Sequence, residues 1–260
     1  MSYLIYIYNE VQNEDLDLNR VLASLENYCP FAKIEMRESF VSHFYSPELI
    51  KGLANAWNLE LSGEMTQYQA ENQRLYYEQQ AYLHSETISP KIIYNGWQFL
   101  EPLQRQIPKS ESSLVQLHIF LTSRLLVTKE EDEGRYHART LIAGQPSIIS
   151  SSGLVEAPAR PVEFYFLQRA YQLMGQEIPD SEIKKRFQGK ILTYNDKRLT
   201  EVIIGYILQA IAYRFWGEGF CDTPYCRLFN AHLQQEMLTA QLELPEFCPR
   251  HQTIFGQGKG

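Results

Sequence analysis

The sequence predicts an α/β (α+β) fold, a mixed β-sheet with helices packed on it, although 260 residues suit one large domain or two small ones. Three observations lead there. A β-rich run at residues 3–8, an apolar helical pattern after it and a second strand pattern at 32–37 make a β-α-β opening. A long apolar run, Leu199 to Trp216, is hydrophobic on more than one stripe, as a helix buried on most sides must be. Three of the four cysteines then fall between 221 and 248, followed by a histidine at 251.

The elements follow in order. Tyr-Leu-Ile-Tyr-Ile-Tyr at 3–8 combines β-branched and aromatic residues, which suit a pleated buried strand. Asp15 or Asp17 caps a helix in which Leu18, Val21, Leu22 and Leu25 recur at helical spacing. Ala32 to Arg37 is the second strand. Ser46-Pro47 opens a helix with proline at its first position, turning Leu49, Ile50, Leu53, Ala54 and Trp57 inward. Residues 59–89 are polar and rich in Gln, Glu and Tyr, either a surface helix or a mobile insertion. A short strand at Lys91–Tyr94, a helix at Trp97–Gln106 and a buried strand at Leu114–Thr122 follow.

Beyond the acids at 130–133, Arg135 to Ile142 has the pattern of a strand, and alternation puts Arg135, His137 and Arg139 on one face. Two guanidiniums flanking an imidazole attract a carboxylate or phosphate and offer a proton-transfer group. A solvated strand face balanced by the preceding acids is the other reading. Ile148 and Ile149 belong to a short buried strand. The serines after it satisfy turn backbone, since no strained Gly-x-Ser-x-Gly elbow is present. Helices are expected to about Met174, over Ser181–Phe187, over Leu199–Trp216 (stopped by Gly217) and over Leu228–Leu242.

The cysteine block carries the sharpest chemistry. Cys221 and Cys226 are spaced Cys-x4-Cys, and Cys248 and His251 are spaced Cys-x2-His. Two short-spaced pairs separated by a helix-length segment suit four tetrahedral ligands of one structural zinc ion. His232 is an alternative fourth ligand to His251. A disulfide is disfavoured in a reducing compartment.

Composition narrows the function classes. With 44% hydrophobic residues the chain can bury a large core, and a formal charge of −7 disfavours sequence-independent hold on nucleic acid. No secretory signal opens the sequence, and Val202–Trp216 is interrupted and too short to cross a bilayer. A soluble, cytoplasmic chain without membrane or nucleic-acid partners is expected.

The Cys221–His251 region resembles the archaemetzincins, metzincin-like zinc peptidases that carry His-Glu-x-x-His-x-x-Gly-x-x-His-Cys, then Cys-x4-Cys spacing and a closing Cys-x2-Cys. Aligned on Cys221, the family glycine falls on Gly217 and the structural-zinc cysteines on Cys221, Cys226 and Cys248, with His251 in place of the fourth. Leu117–Ser123 and Gly144–Ser150 resemble the preceding strands. The whole chain resembles more closely an uncharacterised family described as metallopeptidase-like, through segments such as Gly-Arg-Tyr-His-Ala-Arg and Cys-Arg-Leu-Phe-Asn. The resemblance implies a single zincin-like domain over residues 1–260, in which 198–252 is the core helix plus a zinc-binding subdomain.

It also implies catalytic histidines at Ala210, Arg214 and Phe220 and a general base at Ile211. Alanine, isoleucine and phenylalanine cannot ligate zinc or activate water, and no His-Glu-x-x-His occurs in the chain. Two function classes follow. One is a zinc-containing, non-peptidase binding or regulatory module. The other is an enzyme of changed chemistry, with His137 as acid/base and Arg135, Arg139 and Arg214 holding an anionic substrate.

Overall fold

The strand Tyr3–Asn9 (β1) lies inside the architecture, with both of its faces buried. Ile5 and Ile7 point one way, Tyr6 and Tyr8 the other, and all four are at most 7% exposed. A computed structural model describes residues 3–11, 16–61, 70–84, 88–130 and 134–255. Asp15, the acids at 131–133 and parts of the 59–89 stretch lie outside the described residues.

Asp17 caps α1 (Leu18–Tyr28), its carboxylate accepting from the Arg20 amide at 3.0 Å, and Val21 and Leu25 face the core. The chain returns in β2 (Ala32–Arg37), parallel to β1 with Tyr3 opposite Ala32. A short helix, α2 (Phe40–His43), precedes α3 (Pro47–Asn55), which Ser46 caps as its sequence predicts. The polar stretch contains α4 (Glu71–Leu83), whose Tyr77, Glu78 and Ala81 are buried. Then come β3 (Ile93–Asn95), α5 (Gly96–Gln106), β4 (Gln116–Thr122) and β5 (Leu125–Lys129).

The expected strand at 135–142 divides into β6 (Tyr136–Arg139) and β7 (Leu141–Ile142), with Arg135 just before it. β6 pairs antiparallel with β5, whereas β7 pairs antiparallel with β8 (Ser147–Ser150), so one chain segment serves two sheets. The larger sheet has the order β2-β1-β4-β8-β7, parallel except for the edge strand β7; the smaller has the order β3-β5-β6.

Beyond β8 lie α6 (Ser151–Glu156), capped by the Ser150 hydroxyl, then α7 (Val162–Leu173) and α8 (Asp180–Phe187). The last two share a small apolar cluster of their own, centred on Phe164, Phe187 and Ile191. Helix α9 spans Leu199–Trp216 and ends at Gly217, where φ of +73° is a conformation glycine adopts without a Cβ clash.

Two cores flank the larger sheet. One contains Ile5, Ile7, Leu117, Ile119, Leu121 and Ile149 from the strands, with α1 and ten buried apolar residues of α9 against them. The other holds Tyr6, Tyr8, Phe120 and Ile148 with α3, α4 and α5. No helix among the described residues is long and apolar enough to cross a membrane.

The continuous helix expected over Leu228–Leu242 does not form. Cys221 pairs with Phe229, and Ala159 with Leu233, so the Leu228 and His232 carbonyls and the Asn230 amide bond to Cys221 and Ala159 rather than along a helix. A short helix α10 (Gln234–Leu238) follows and runs into one π-type turn at Thr239–Glu243. That turn lies so close to α9 that a Cβ on Gly205 would collide with the side-chain amide of Gln241. The chain reaches a last described helix, α11 (Pro249–Phe255).

Candidate metal centre

Cys221 lies four residues beyond the glycine that stops α9. Its amide donates to the Leu228 carbonyl at 2.9 Å and its carbonyl accepts from the Asn230 amide at 3.0 Å, which closes a tight loop. Within that loop the Cys226 amide donates to Thr223 O at 2.9 Å, so the Cys-x4-Cys spacing turns both sulfurs to one point. Cys248 directly precedes Pro249, whose fixed φ suits the first position of α11. The amides of His251 and Gln252 donate to the Cys248 carbonyl at 2.9 Å, placing His251 in the first turn of that helix. Aromatic stacking holds α11 in place. Phe255 stacks on Phe247 at 4.9 Å and meets Trp216 of α9 at 6.1 Å.

The four side chains converge. One ligand atom from each of Cys221, Cys226, Cys248 and His251 lies within 4.8 Å of the others, all four residues are buried, and the group could hold a metal ion. Cys221 Sγ and Cys248 Sγ are 3.8 Å apart; His251 Nδ1 is 3.4 Å from Cys226 Sγ and 3.2 Å from Cys248 Sγ. A tetrahedral zinc ion with Zn–S of ~2.3 Å and Zn–N of ~2.0–2.1 Å sets neighbouring sulfurs about 3.8 Å apart and a sulfur and nitrogen about 3.6 Å apart. The donor set and its spacing therefore fit a structural ion. His232, the alternative ligand, is exposed and lies outside this group.

The electrostatics fit as well. Burial pushes the Cys226 thiol up to about 12, so a thiolate there requires a cation beside it. At Cys248 burial also opposes ionisation, but the His251 backbone amide and the neighbouring thiols outweigh it and lower the value. The Thr223 amide lies 3.4 Å from Cys221 Sγ, a donor suited to a charged sulfur. On the far side of the imidazole, His251 Nε2 is buried without a hydrogen-bond partner among the described residues, and Glu218 Oε2 stands 3.8 Å from it.

A cleft of about 190 Å³ lies between β6–β7, α9 and the 229–232 segment. His137, Arg139, Tyr206, Gln209, Phe220 and His232 are among its walls, and no carboxylate or thiol is among its described lining residues. The three arginines expected beside His137 are placed differently from one another. Arg139 lines the cleft but is engaged across the strands, with Nε donating to Thr128 Oγ1 at 2.6 Å and Nη2 to the Glu130 carboxylate. Arg135 precedes β6 and is exposed. Arg214 reaches away to the start of β4, donating to Gln116 O at 3.0 Å and Ser113 O at 2.8 Å. Of the other positions that resemblance assigns to catalytic metal, Ala210 and Ile211 are completely buried in the apolar core, and Phe220 is a half-exposed cleft wall.

Sequence reasoning missed Glu218. It sits in Gly217-Glu-Gly219, which reads in the sequence only as a helix stop, although its position three residues before a ligand could have marked it.

The sequence matches the family described as "Probable metallopeptidase family (DUF6775)" over residues 1–258. No curated protein matches it. Among solved structures, an archaemetzincin from Methanopyrus kandleri aligns at 12% identity with a TM-score of 0.45, covering 99% of this chain and 94% of that one.

Proposed function

The chain belongs to the probable metallopeptidase family, and from that premise we propose that it is a structural-zinc protein acting as a non-peptidase binding or regulatory module. One zinc ion would be held by Cys221, Cys226, Cys248 and His251, closing the loop after α9 onto α11. The zinc supplies folding free energy there, and four protein ligands leave it no open position for water. The reading places the chain in the cytoplasm, where thiols stay reduced.

The composition of the cleft carries the proposal. Metal-assisted peptide hydrolysis needs ligands with an open coordination position and a base for the water. The described cleft walls offer His137 and His232 but no carboxylate, and no His-Glu-x-x-His exists in the sequence. The cleft is then a binding surface, and its occupant a protein segment or small anionic ligand.

The test combines element analysis of the purified full chain with an assay on a mixed peptide pool. One tightly held zinc per chain and no cleavage are expected. A second, exchangeable zinc that brings cleavage would overturn the proposal. A second reading draws on His137 and Arg139 sharing the cleft: an enzyme of altered chemistry, with His137 as acid/base toward an anionic substrate and Arg139 as anion holder, Arg135 and Arg214 being placed elsewhere. Discrimination rests on titrating small carboxylates and phosphates against the His137 ring signals. Movement of those signals with turnover of the added compound favours the second reading.

A further inference from the structure

We infer that Glu218 is the positioning residue of the metal centre, the carboxylate that takes the outward ring N–H of His251 and so fixes which nitrogen faces the ion. The inference rests on the zinc reading above.

An imidazole ligand uses one nitrogen for the metal and carries its proton on the other, and that second nitrogen is ordinarily held by a carboxylate, carbonyl or water. In His251 the two nitrogens are already divided. Nδ1 faces the sulfurs of Cys226 and Cys248, while Nε2 lies on the opposite edge, buried without a hydrogen-bond partner among the described residues. Glu218 Oε2, at 3.8 Å, is one small side-chain adjustment from hydrogen-bond distance.

The backbone puts Glu218 there. Gly217 turns left-handed at the end of α9, and the Glu218 amide closes the turn on Ala212 O at 3.3 Å, so the carboxylate emerges over the ring. Arg250, beside His251 in sequence, grips the other carboxylate oxygen, with Nη2 2.6 Å from Oε1. This leaves Oε2 for the imidazole. The core helix α9 thereby reaches the metal through its cap as well as through Cys221.

The competing account is a surface ion pair, Arg250–Glu218, that merely tacks α11 to the cap. The two separate in the full-length chain. Zinc affinity is read by competition with a chromophoric chelator, and ligand field by the visible absorption of the cobalt(II)-substituted protein. Glu218→Ala is expected to lower zinc affinity about tenfold or more and to shift the cobalt bands. Glu218→Gln, whose amide oxygen accepts the same N–H, is expected to restore most of the affinity. Arg250→Ala, which breaks only the ion pair, is expected to stay within about twofold, far from the tenfold range of an outer ligand. Wild-type affinity and spectrum in Glu218→Ala would overturn the role of Glu218, as would an equal loss in Arg250→Ala. A wild-type chain that binds no zinc would instead overturn the metal reading itself.

Discussion

The two faces of β1 are one residue apart in sequence and organise their cores by different means. The face of Ile5 and Ile7 meets α1 and α9 in a core of aliphatic and aromatic side chains, and the metal group closes one end of it. The face of Tyr6 and Tyr8 brings hydroxyls inside, and those require partners. Tyr8 OH lies 2.9 Å from His118 Nδ1 and accepts from Arg37 Nη1 at 2.8 Å; Arg37 in turn holds the Glu111 carboxylate through both terminal nitrogens. On the same side Arg124, fully buried, stands 3.3 Å from a carboxylate oxygen of Glu10 and 3.3 Å from one of Glu78. One guanidinium for two carboxylates leaves a deficit, and burial pushes Glu10 above the usual carboxylate range. With the zinc proposed above, the first face should respond to metal and the second to charge.

The largest expected effect tests the metal side. Cys226→Ser, or a strong chelator on the wild type, should lower the melting temperature more than any single core truncation, because a structural zinc supplies on the order of 10 kcal/mol to small domains. Unchanged melting and unchanged metal content would remove the distinction between the faces.

Next in size is Arg124→Met, which strands Glu10 and Glu78 in the interior. Breaking a buried ionic group costs about 3–5 kcal/mol, measured by urea unfolding. Adding Glu10→Gln and Glu78→Gln should return part of that loss; a triple variant no better than the single would mean the charges are not what opposes the change.

Ile207→Ala in α9 should cost about 2–5 kcal/mol, the range for a buried aliphatic truncation. Its cost should be the same at about pH 7.5 and about pH 5, as no titratable group is made or lost.

A smaller, pH-dependent effect belongs to the tyrosine face. His118 is fully buried between Tyr8 OH and the Glu111 carbonyl, 2.9 Å from Nε2, and burial holds its pKa below the ordinary imidazole value. The unfolded chain therefore takes the proton first. Stability from this group is complete above about pH 6.5 and falls as pH drops through the lowered folded value. His118→Gln should flatten that slope relative to wild type; identical slopes would remove His118 as its source. The least effect, within about 0.5 kcal/mol, is expected for Phe166→Ser on α7, a 72% exposed position outside both cores.

What the sequence disclosed divides along the same line. The boundaries of α9 and its glycine stop were legible because apolar periodicity and a cap are local signals. The cysteine and histidine spacing was legible because ligands come in short pairs. Glu78 was not, because its partner Arg124 is distant in sequence and a long-range ion pair leaves no periodic trace in a polar stretch. Nor was the break-up of 228–242, where helical composition yields to pairing with Cys221 and Ala159. β5 escaped notice because only two residues part it from β4.

The place of β1 between β2 and β4 has a kinetic consequence. Its neighbour β2 follows after one helix, whereas its other neighbour β4 pairs Leu4 with Gln116, far along the chain. The first β-α-β unit can form early from nearby residues, but the remaining edge of β1 must wait while a long intervening stretch is gathered. Loop closure over that distance slows assembly. Refolding should accordingly show early helix-rich signal and a later step in which Tyr6 and Tyr8 lose solvent.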